Sequence, residues 1–83
     1  MVKHIVFVCL GNICRSPMAE GLLRHKAEIA GVPGNIDSCG TSNYHTGEAP
    51  DPRAQSAMLS HKIDISHLKA RQLNRNDFHD FDF

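Results

Sequence analysis

Residues 8–17 read VCLGNICRSP, in which five residues separate Cys9 from Arg15. The run before Cys9, Lys3 to Val8, is β-branched, aromatic and nearly all apolar. An uninterrupted apolar run of this length is typical of a parallel strand that is covered on both faces. The sequence therefore predicts a buried strand that delivers Cys9 to the start of a loop.

The residues that follow predict a tight loop and then a helix. Gly11-Asn12 tolerates the positive φ angles that a tight loop requires. Ser16 is a candidate N-cap, and Pro17 suits the first position of a helix. Gly31 ends the helix, whose apolar face we expect to consist of Ala19, Leu22, Leu23, Ala27 and Ala30.

A second strand and a second helix are predicted in the middle of the chain. Ile36 to Thr41 is a candidate strand, and it is parallel to the first because a helical crossover joins the two. Ser42 to Pro50 is rich in turn residues. Asp51-Pro52 then repeats the cap-and-proline pattern of a helix start.

The last third of the chain has weaker signals. Ile63 to Leu73 is predicted to be extended or irregular. Asn74 and Asp77 have the spacing of a capping box and predict one or two helical turns. Phe81 to Phe83 alternates in polarity, as the opening residues of another strand would.

The loop from Cys9 to Arg15, called the phosphate loop below, has the composition of an anion-binding site. Its backbone N–H groups can converge on one centre, and the helix N-terminus behind it adds positive potential suited to a phosphate dianion. The same potential stabilises a thiolate, so we expect a lowered pKa and a nucleophilic sulfur at Cys9. The guanidinium of Arg15 can hold two phosphoryl oxygens. Ser16 can donate a hydrogen bond to the sulfur of Cys9 when that sulfur acts as a leaving group.

Other interpretations of this stretch are weaker. It lacks the lysine and hydroxyl pair of a Walker A loop. If Cys9 were only a buried structural cysteine, the positions of Arg15 and Ser16 relative to it would remain unexplained. A zinc site on Cys9 and Cys14 would need Cys39, His61 or His67 as further ligands, and there is no second close pair of cysteines. We therefore predict neither a metal nor a cofactor.

Length and composition exclude several classes of protein. The chain has 83 residues and a mass of 9.2 kDa, enough for one small domain at most. Nine Lys and Arg balance nine Asp and Glu, which argues against a nucleic-acid or membrane-surface binder. The longest apolar run, Ile5 to Leu10, is too short to span a bilayer, and no signal-peptide cleavage site follows it. Three cysteines are too few for a disulfide scaffold, so we expect a reducing, cytoplasmic setting.

The stretch from Val8 to Glu20 resembles the signature loop of the low-molecular-weight protein tyrosine phosphatases, in their bacterial form. The resemblance continues at Asp37 to Ser42, Pro50 to Ala54 and Ala70 to Leu73, and so covers almost the whole chain. It implies a three-layer α/β/α fold of the phosphotyrosine phosphatase I-like class. The nucleophilic cysteine would then lie at the carboxyl end of the first strand of a central parallel sheet, where such sheets bind ligands.

The resemblance also implies the chemistry of the loop. Cys9 would attack phosphorus to form a phosphocysteine, and water would hydrolyse this intermediate without a metal. Arg15 and Ser16 would be the other catalytic residues. The phosphate-binding positions between them are Leu10, Gly11, Asn12, Ile13 and Cys14.

Four further roles are implied by the same resemblance. Asn12 would hold the loop in its strained shape through a polar network that reaches Ser42 and His67. Tyr44 falls where the family places an aromatic residue on the wall of the substrate cleft. Cys14 matches the second loop cysteine of the family, which can trap the oxidised nucleophile as a disulfide.

Residues 1–83 depart from the family pattern in one respect. The family's general acid is an aspartate in an Asp-Pro-aromatic loop nearer the C-terminus of chains close to twice this length, and no residue here matches it. Asp51-Pro52 is followed by Arg53, and we interpret it as a helix cap. We therefore expect residues 1–83 to form the N-terminal part of a single phosphatase domain, truncated at its third strand. Loss of a general acid typically lowers the rate by about 10²- to 10⁴-fold.

The leading hypothesis is a cysteine-dependent phosphatase that hydrolyses phosphotyrosine in proteins. A thiol-dependent arsenate reductase of the same fold is one alternative, because arsenate mimics phosphate. An inactive fragment that only binds oxyanions is another. The expected partners are a phosphotyrosine-containing protein and phosphate or another oxyanion in the loop, whereas neither nucleic acid nor a membrane is expected.

Overall fold

The computed structural model describes residues 3–83. Its elements are, in chain order, β1 (Lys3–Cys9), α1 (Arg15–Ala30), β2 (Gly34–Gly40), α2 (Pro52–Leu59) and α3 (Asp77–Asp80). This order of elements is the one that the sequence predicts. No helix among these residues is long and apolar enough to cross a membrane.

The two strands form a parallel sheet, as the helical crossover predicts. The register pairs Lys3 with Gly34 at one end and Cys9 with Gly40 at the other. The N–H of Thr41 continues the ladder by donating to the carbonyl oxygen of Cys9 at 2.9 Å. The nucleophile candidate therefore lies at the carboxyl end of the sheet, where open parallel sheets bind ligands.

Alternation along β2 directs its side chains to two covered faces of the sheet. Ser38 faces α1, where its hydroxyl donates to the carboxylate of Glu20 at 2.6 Å. The neighbouring Asp37 faces the other way and accepts from Arg71 at 3.1 Å. Arg71 in turn pairs with Asp77 of α3. The sheet thus lies between α1 and the segment that contains α3, in the predicted α/β/α arrangement.

The hydrophobic core lies between α1 and α2. Its buried members are Ala54, Met58, Ile63 and Ile65, and the partly buried Met18 and Leu68 pack against them. Ile65 is the best covered of the four, with 1% of its surface exposed. This core fixes α1, and therefore the phosphate loop that precedes it, against the rest of the chain.

The buried face of α1 differs from the predicted apolar face. Leu22 and Ala30 are exposed, whereas the buried positions are Ser16, Pro17, Glu20 and Gly21. A Cβ at Gly21 would lie only 2.5 Å from the side chain of Ile65, so this glycine lets the helix approach the core closely. The buried face of α1 therefore consists of small and polar residues and not of leucines.

The two helix starts differ in how they are capped. α1 begins at Arg15, and no side chain caps it. Ser16 lies inside the first turn, so its predicted N-cap role is wrong. Asp51 caps α2 as predicted, because its carboxylate accepts from the N–H of Arg53 at 2.8 Å.

The C-terminal residues confirm one local prediction. The carboxylate of Asp77 reaches back and accepts from the N–H of Asn74 at 2.8 Å, as a capped turn requires. The backbone of Phe83 donates to the carbonyl oxygen of His4 at 3.3 Å and accepts from the N–H of Val6 at 3.0 Å. These bonds join the last residue to β1, but no third strand is formed within residues 3–83, so the opening strand stays a prediction.

Candidate active site

Hydrogen bonds to its carbonyl oxygens hold the phosphate loop in a curled shape. Backbone N–H groups outside the loop donate to these oxygens at 2.7 to 2.9 Å, and the pairs are Thr41 with Cys9, Ser42 with Leu10 and Asp51 with Ile13. Carbonyl oxygens that are bound from outside turn the N–H groups of the loop inward. An inward row of N–H groups is the geometry of an anion-binding nest.

Two residues allow the loop to curl this tightly. Asn12 adopts the left-handed conformation with a φ of 58°, which asparagine tolerates better than most residues do. Gly40 of β2 lies directly beneath the loop. A Cβ at Gly40 would lie 2.8 Å from the carbonyl oxygen of Leu10 and 3.1 Å from the backbone nitrogen of Asn12, so only glycine leaves room here.

The sulfur of Cys9 is the point on which the donors of the loop converge. The hydroxyl of Ser16 lies 3.0 Å from it, and the N–H of Asn12 donates to it at 3.3 Å. Burial alone would raise the pKa of the Cys9 thiol, but the Ser16 hydroxyl and the backbone N–H groups of Ser16, Asn12 and Gly11 outweigh burial and lower that pKa. The site therefore stabilises a thiolate, the nucleophilic form of cysteine.

Asn12 sets the direction of the hydrogen bonds that reach Cys9. Its Oδ1 accepts from the backbone N–H of Arg71 at 2.9 Å, and that N–H can only donate. The amide nitrogen must then face two hydroxyls, and it donates to Ser16 at 2.7 Å and to Ser38 at 2.9 Å. Each hydroxyl accepts from Asn12 and keeps its own proton to donate, and Ser16 donates this proton to the sulfur when Cys9 is a thiolate, because a thiolate can only accept.

The second arm of this network ends on a buried carboxylate. Ser38 donates to Glu20 at 2.6 Å, and Arg24 pairs with the same carboxylate at 2.9 Å. Burial raises the pKa of Glu20, while the hydrogen bond from Ser38 and the charge of Arg24 oppose this shift. Glu20 thus anchors the network to α1 beneath the phosphate loop.

The observed network differs from the one that the resemblance implies. Ser38 occupies the place expected for Ser42, because β2 directs the Ser38 side chain toward Asn12. The hydroxyl of Ser42 is buried without a hydrogen-bond partner among residues 3–83, and Ser42 supports the loop through its backbone instead. His67 is exposed, and no hydrogen bond joins its side chain to this network.

Sequence reasoning missed three members of the site. Ser38 and Arg71 both lie in the blocks that carry the resemblance, so that resemblance was the available signal for them. Glu20 closes the signature stretch and is a buried carboxylate in a helix, and side chains of this type are rarely buried. The contacts that these three residues make in the site do not follow from spacing along the chain.

The remaining predicted site residues are exposed. Arg15 and Cys14 are exposed at the start of α1, and 83% of the surface of Tyr44 is exposed. Next to Tyr44, the ring of His45 lies close to Gly11 and its Nδ1 is 3.1 Å from the carboxylate of Glu48. The roles of Tyr44 as a substrate wall and of Cys14 as a redox partner remain predictions.

Asp51 lies at the loop and is a helix cap, not a general acid. Its backbone N–H binds the carbonyl oxygen of Ile13, and its carboxylate contacts the side chain of Arg53. Hydrogen bonds from Arg53 lower the pKa of Asp51. A general acid must be protonated when the reaction begins, so this environment disfavours that role.

The three cysteines have separate environments. Cys9 is partly buried, Cys14 is exposed and Cys39 is buried in β2, and all three are free thiols. Burial raises the pKa of Cys39, as expected for a core residue. In the part of the chain that the structure describes, no three His, Cys, Asp or Glu side chains are grouped to hold a metal ion.

Known proteins share both this loop and the fold around it. Residues 4–83 match the family model of the low molecular weight phosphotyrosine protein phosphatases. The chain belongs to this family.

Individual proteins resemble the chain over 96% or more of its length. The low molecular weight phosphotyrosine protein phosphatase of Schizosaccharomyces pombe is 49% identical over 88 residues, which cover 100% of this chain and 56% of the relative. The crystal structure of YfkJ from Bacillus subtilis is 38% identical with a TM-score of 0.96, covering 100% of this chain and 54% of that one. The structure of DARP, a drosophila arginine phosphatase, is 34% identical with a TM-score of 0.90, covering 96% and 50%.

The chain spans about half the length of the curated relatives it matches, between 50% and 56% for the first two. Membership of the phosphotyrosine phosphatase family favours the phosphatase hypothesis over the arsenate reductase. The α/β fold class predicted from the sequence is confirmed by the structural relatives.

Proposed function

We propose that this chain carries the nucleophile and the phosphate loop of a cysteine-dependent protein tyrosine phosphatase. The observation that carries the proposal is the convergence of hydrogen-bond donors on the sulfur of Cys9, which lowers its pKa. Membership of the family supports the same activity. Because the reaction needs a free thiolate, we also place the protein in the reducing cytoplasm.

In the first step, the thiolate of Cys9 attacks the phosphorus of phosphotyrosine. The S–P bond forms as the bond between phosphorus and the tyrosine oxygen breaks, and the leaving oxygen takes a proton from an acid or from water. The inward N–H groups and the guanidinium of Arg15 would bind the phosphoryl oxygens, whose charge they stabilise in the transition state.

In the second step, water attacks the phosphocysteine. The S–P bond breaks, inorganic phosphate leaves, and the electron pair returns to the sulfur of Cys9. Ser16 is placed to donate to this sulfur when it leaves as a thiolate, since its hydroxyl is 3.0 Å away and a thiolate can only accept. The departing thiolate therefore has a fixed donor that does not need to reorient.

Turnover of p-nitrophenyl phosphate tests this proposal, because its leaving group needs little protonation and reduces the demand for a general acid. We expect the chain to release nitrophenolate and Cys9→Ser to release none. Cys14→Ser is the matched control, since it removes the other thiol of the loop, and we expect it to stay active under reducing conditions. Activity that survives in Cys9→Ser would refute the proposal.

A second experiment separates the phosphatase from a fragment that only binds oxyanions. Acid quenching of the reaction, followed by mass spectrometry of the Cys9 peptide, detects the phosphocysteine directly. A chain that binds vanadate but never forms this intermediate would be an oxyanion-binding module. A phosphoarginine peptide belongs beside the phosphotyrosine peptide in this assay, because one similar structure is an arginine phosphatase. We expect the phosphotyrosine peptide to react faster.

A further inference from the structure

Arg71 lies outside the phosphate loop, yet the structure holds its side chain tightly. Its two Nη atoms donate to the two oxygens of Asp77 at 3.0 and 2.9 Å, and its Nε donates to Asp37 at 3.1 Å. Asp77 is buried, with 6% of its surface exposed. A two-pronged contact between guanidinium and carboxylate fixes the plane of the arginine as well as its position.

The backbone of the same residue connects β2 to the loop. The carbonyl oxygen of Arg71 accepts from the N–H of Gly40 at 2.8 Å, and its N–H donates to Oδ1 of Asn12 at 2.9 Å. The segment around Arg71 is irregular, and its neighbours form three further backbone hydrogen bonds: from Ala70 to Glu48, from Gly47 to Ala70 and from Leu73 to Gly40. The anchored side chain therefore adds rigidity at the residue that reaches the loop.

We propose that Arg71 is a positioning residue of the phosphate loop: its side chain, anchored by Asp37 and Asp77, holds the backbone N–H that orients the amide of Asn12. The inference deepens the proposed phosphatase function and rests on it, because the loop that Asn12 shapes is the proposed phosphate site.

The contacts of the Asn12 amide differ in which groups can only donate. The hydroxyls of Ser16 and Ser38 can donate or accept, so they would tolerate either orientation of the Asn12 amide. The N–H of Arg71 can only donate, and it alone among these contacts specifies that Oδ1 faces away from the serines. If Arg71 shifts, the amide can turn over. Oδ1 of Asn12 then faces Ser16 and competes with the Cys9 sulfur for the proton of the Ser16 hydroxyl.

The test compares Arg71→Lys and Arg71→Ala with the wild-type chain, with Arg75→Ala as the control. Arg75 is exposed and forms no ion pair within the described residues. Arg75→Ala therefore removes the same charge as Arg71→Ala without breaking an ion pair. The readouts are vanadate affinity, the pH midpoint of Cys9 alkylation by iodoacetamide, and solvent exchange of the Asn12 side-chain amide protons by NMR. We expect vanadate affinity to fall about three- to tenfold in the Arg71 variants, the effect of one lost hydrogen bond.

The same variants should move the alkylation midpoint to higher pH and speed the exchange of the Asn12 amide protons. Adding Asn12→Ala should abolish the difference between arginine and alanine at position 71, because the effect passes through Asn12. If Arg71→Ala fails to fold, Arg71→Lys and Asp37→Asn test the same role of Arg71, since each keeps a polar side chain at the substituted position.

Lower stability with unchanged affinity, midpoint and amide exchange would overturn the inference and leave a purely structural ion pair. An affinity effect that persists in the Asn12→Ala background would overturn it as well. A wild-type chain that binds no vanadate would refute the proposed function, while exchange of the Asn12 amide protons would still decide whether Arg71 orients that side chain.

Discussion

Replacing Gly40 with alanine would place a methyl group directly beneath the phosphate loop. The new Cβ would lie 2.8 Å from the carbonyl oxygen of Leu10, 3.0 Å from the carbonyl carbon of Gly11 and 3.1 Å from the nitrogen of Asn12. All three are backbone atoms, so rotation of a side chain cannot relieve the contact. Either the loop or the end of β2 has to move.

The size of that movement follows from the distances. Contacts of a Cβ below 3.4 Å are rare, so the 2.8 Å contact with Leu10 has to open by about 0.6 Å. This exceeds the range of about 0.5 Å over which N–H to oxygen bonds remain good. Misdirecting one N–H that binds an anion costs about 1.5–3 kcal/mol, or about 10- to 100-fold in affinity. The strain should also lower the free energy of unfolding by about 1–3 kcal/mol.

The assay is calorimetric titration with vanadate, combined with urea unfolding of the same samples. Gly34→Ala is the matched control, because it makes the same change in the same strand. Its new Cβ would lie 3.7 Å from the side chain of Ile36 and 3.8 Å from the carbonyl oxygen of Lys3, which are ordinary contacts. We expect Gly34→Ala to bind vanadate as the wild-type chain does.

Equal vanadate affinity in Gly40→Ala and the wild-type chain would refute the reasoning, because the loop would then tolerate a displacement larger than its hydrogen bonds allow. Equal losses in both alanine variants would also refute it, since the effect would belong to the stability of β2 and not to the loop above Gly40.

Two further predictions concern stability. Ile65→Ala should lower the free energy of unfolding by about 2–5 kcal/mol, because Ile65 is 1% exposed. Ile29→Ala, at a position that is 75% exposed, should change this free energy by less than about 0.5 kcal/mol. Equal effects of the two variants in urea unfolding would contradict the described core. The hydrogen bond from Arg71 lowers the pKa of Asp77, so this pair stabilises the fold above about pH 4 and the stabilisation is lost as the pH falls through the lowered pKa. Asp77→Asn should therefore cost about 1.5–3 kcal/mol near neutral pH and less at about pH 2.5, and urea unfolding that shows the same deficit at both would count against the ion pair.

The parts of the fold that sequence predicts well depend on local backbone preferences. The continuous apolar run of β1, the Gly11-Asn12 turn and the Asp51-Pro52 cap each encode a conformation within a few residues. Parallel pairing of β2 follows from the helical crossover and needs no further contact. The spacing of Cys9 and Arg15 predicts an anion site at this loop in the same way, and that site stays a prediction.

Predictions that depended on packing were less successful. Ser16 has the composition of an N-cap, but Asn12 and Cys9 recruit its hydroxyl from inside the first turn. Periodicity ranks the leucines of α1 as buried, whereas the helix packs through Gly21 against Ile65. The partner of Gly21 lies far along the chain, and the partners of Ser16 lie nearby but reach it only because the loop curls, so local pattern predicts neither contact.

The polar network was the hardest part to predict. Ser38 and Ser42 are four positions apart around the end of β2, and only the register of the sheet decides which hydroxyl faces Asn12. The bond from Arg71 to Asn12 joins residues 59 positions apart and uses a backbone N–H, for which side-chain identity carries no signal.

The hydrogen bonds that end on a Cys9 thiolate form a chain that runs in one direction. The N–H of Arg71 donates to Asn12, Asn12 donates to Ser16, and Ser16 donates to the thiolate, because a thiolate can only accept. Each bond in such a chain polarises the next, so the group at its end donates more strongly than it would alone. Negative charge on the sulfur of Cys9 is therefore stabilised in part by a backbone dipole that lies two hydrogen-bonded groups away from it.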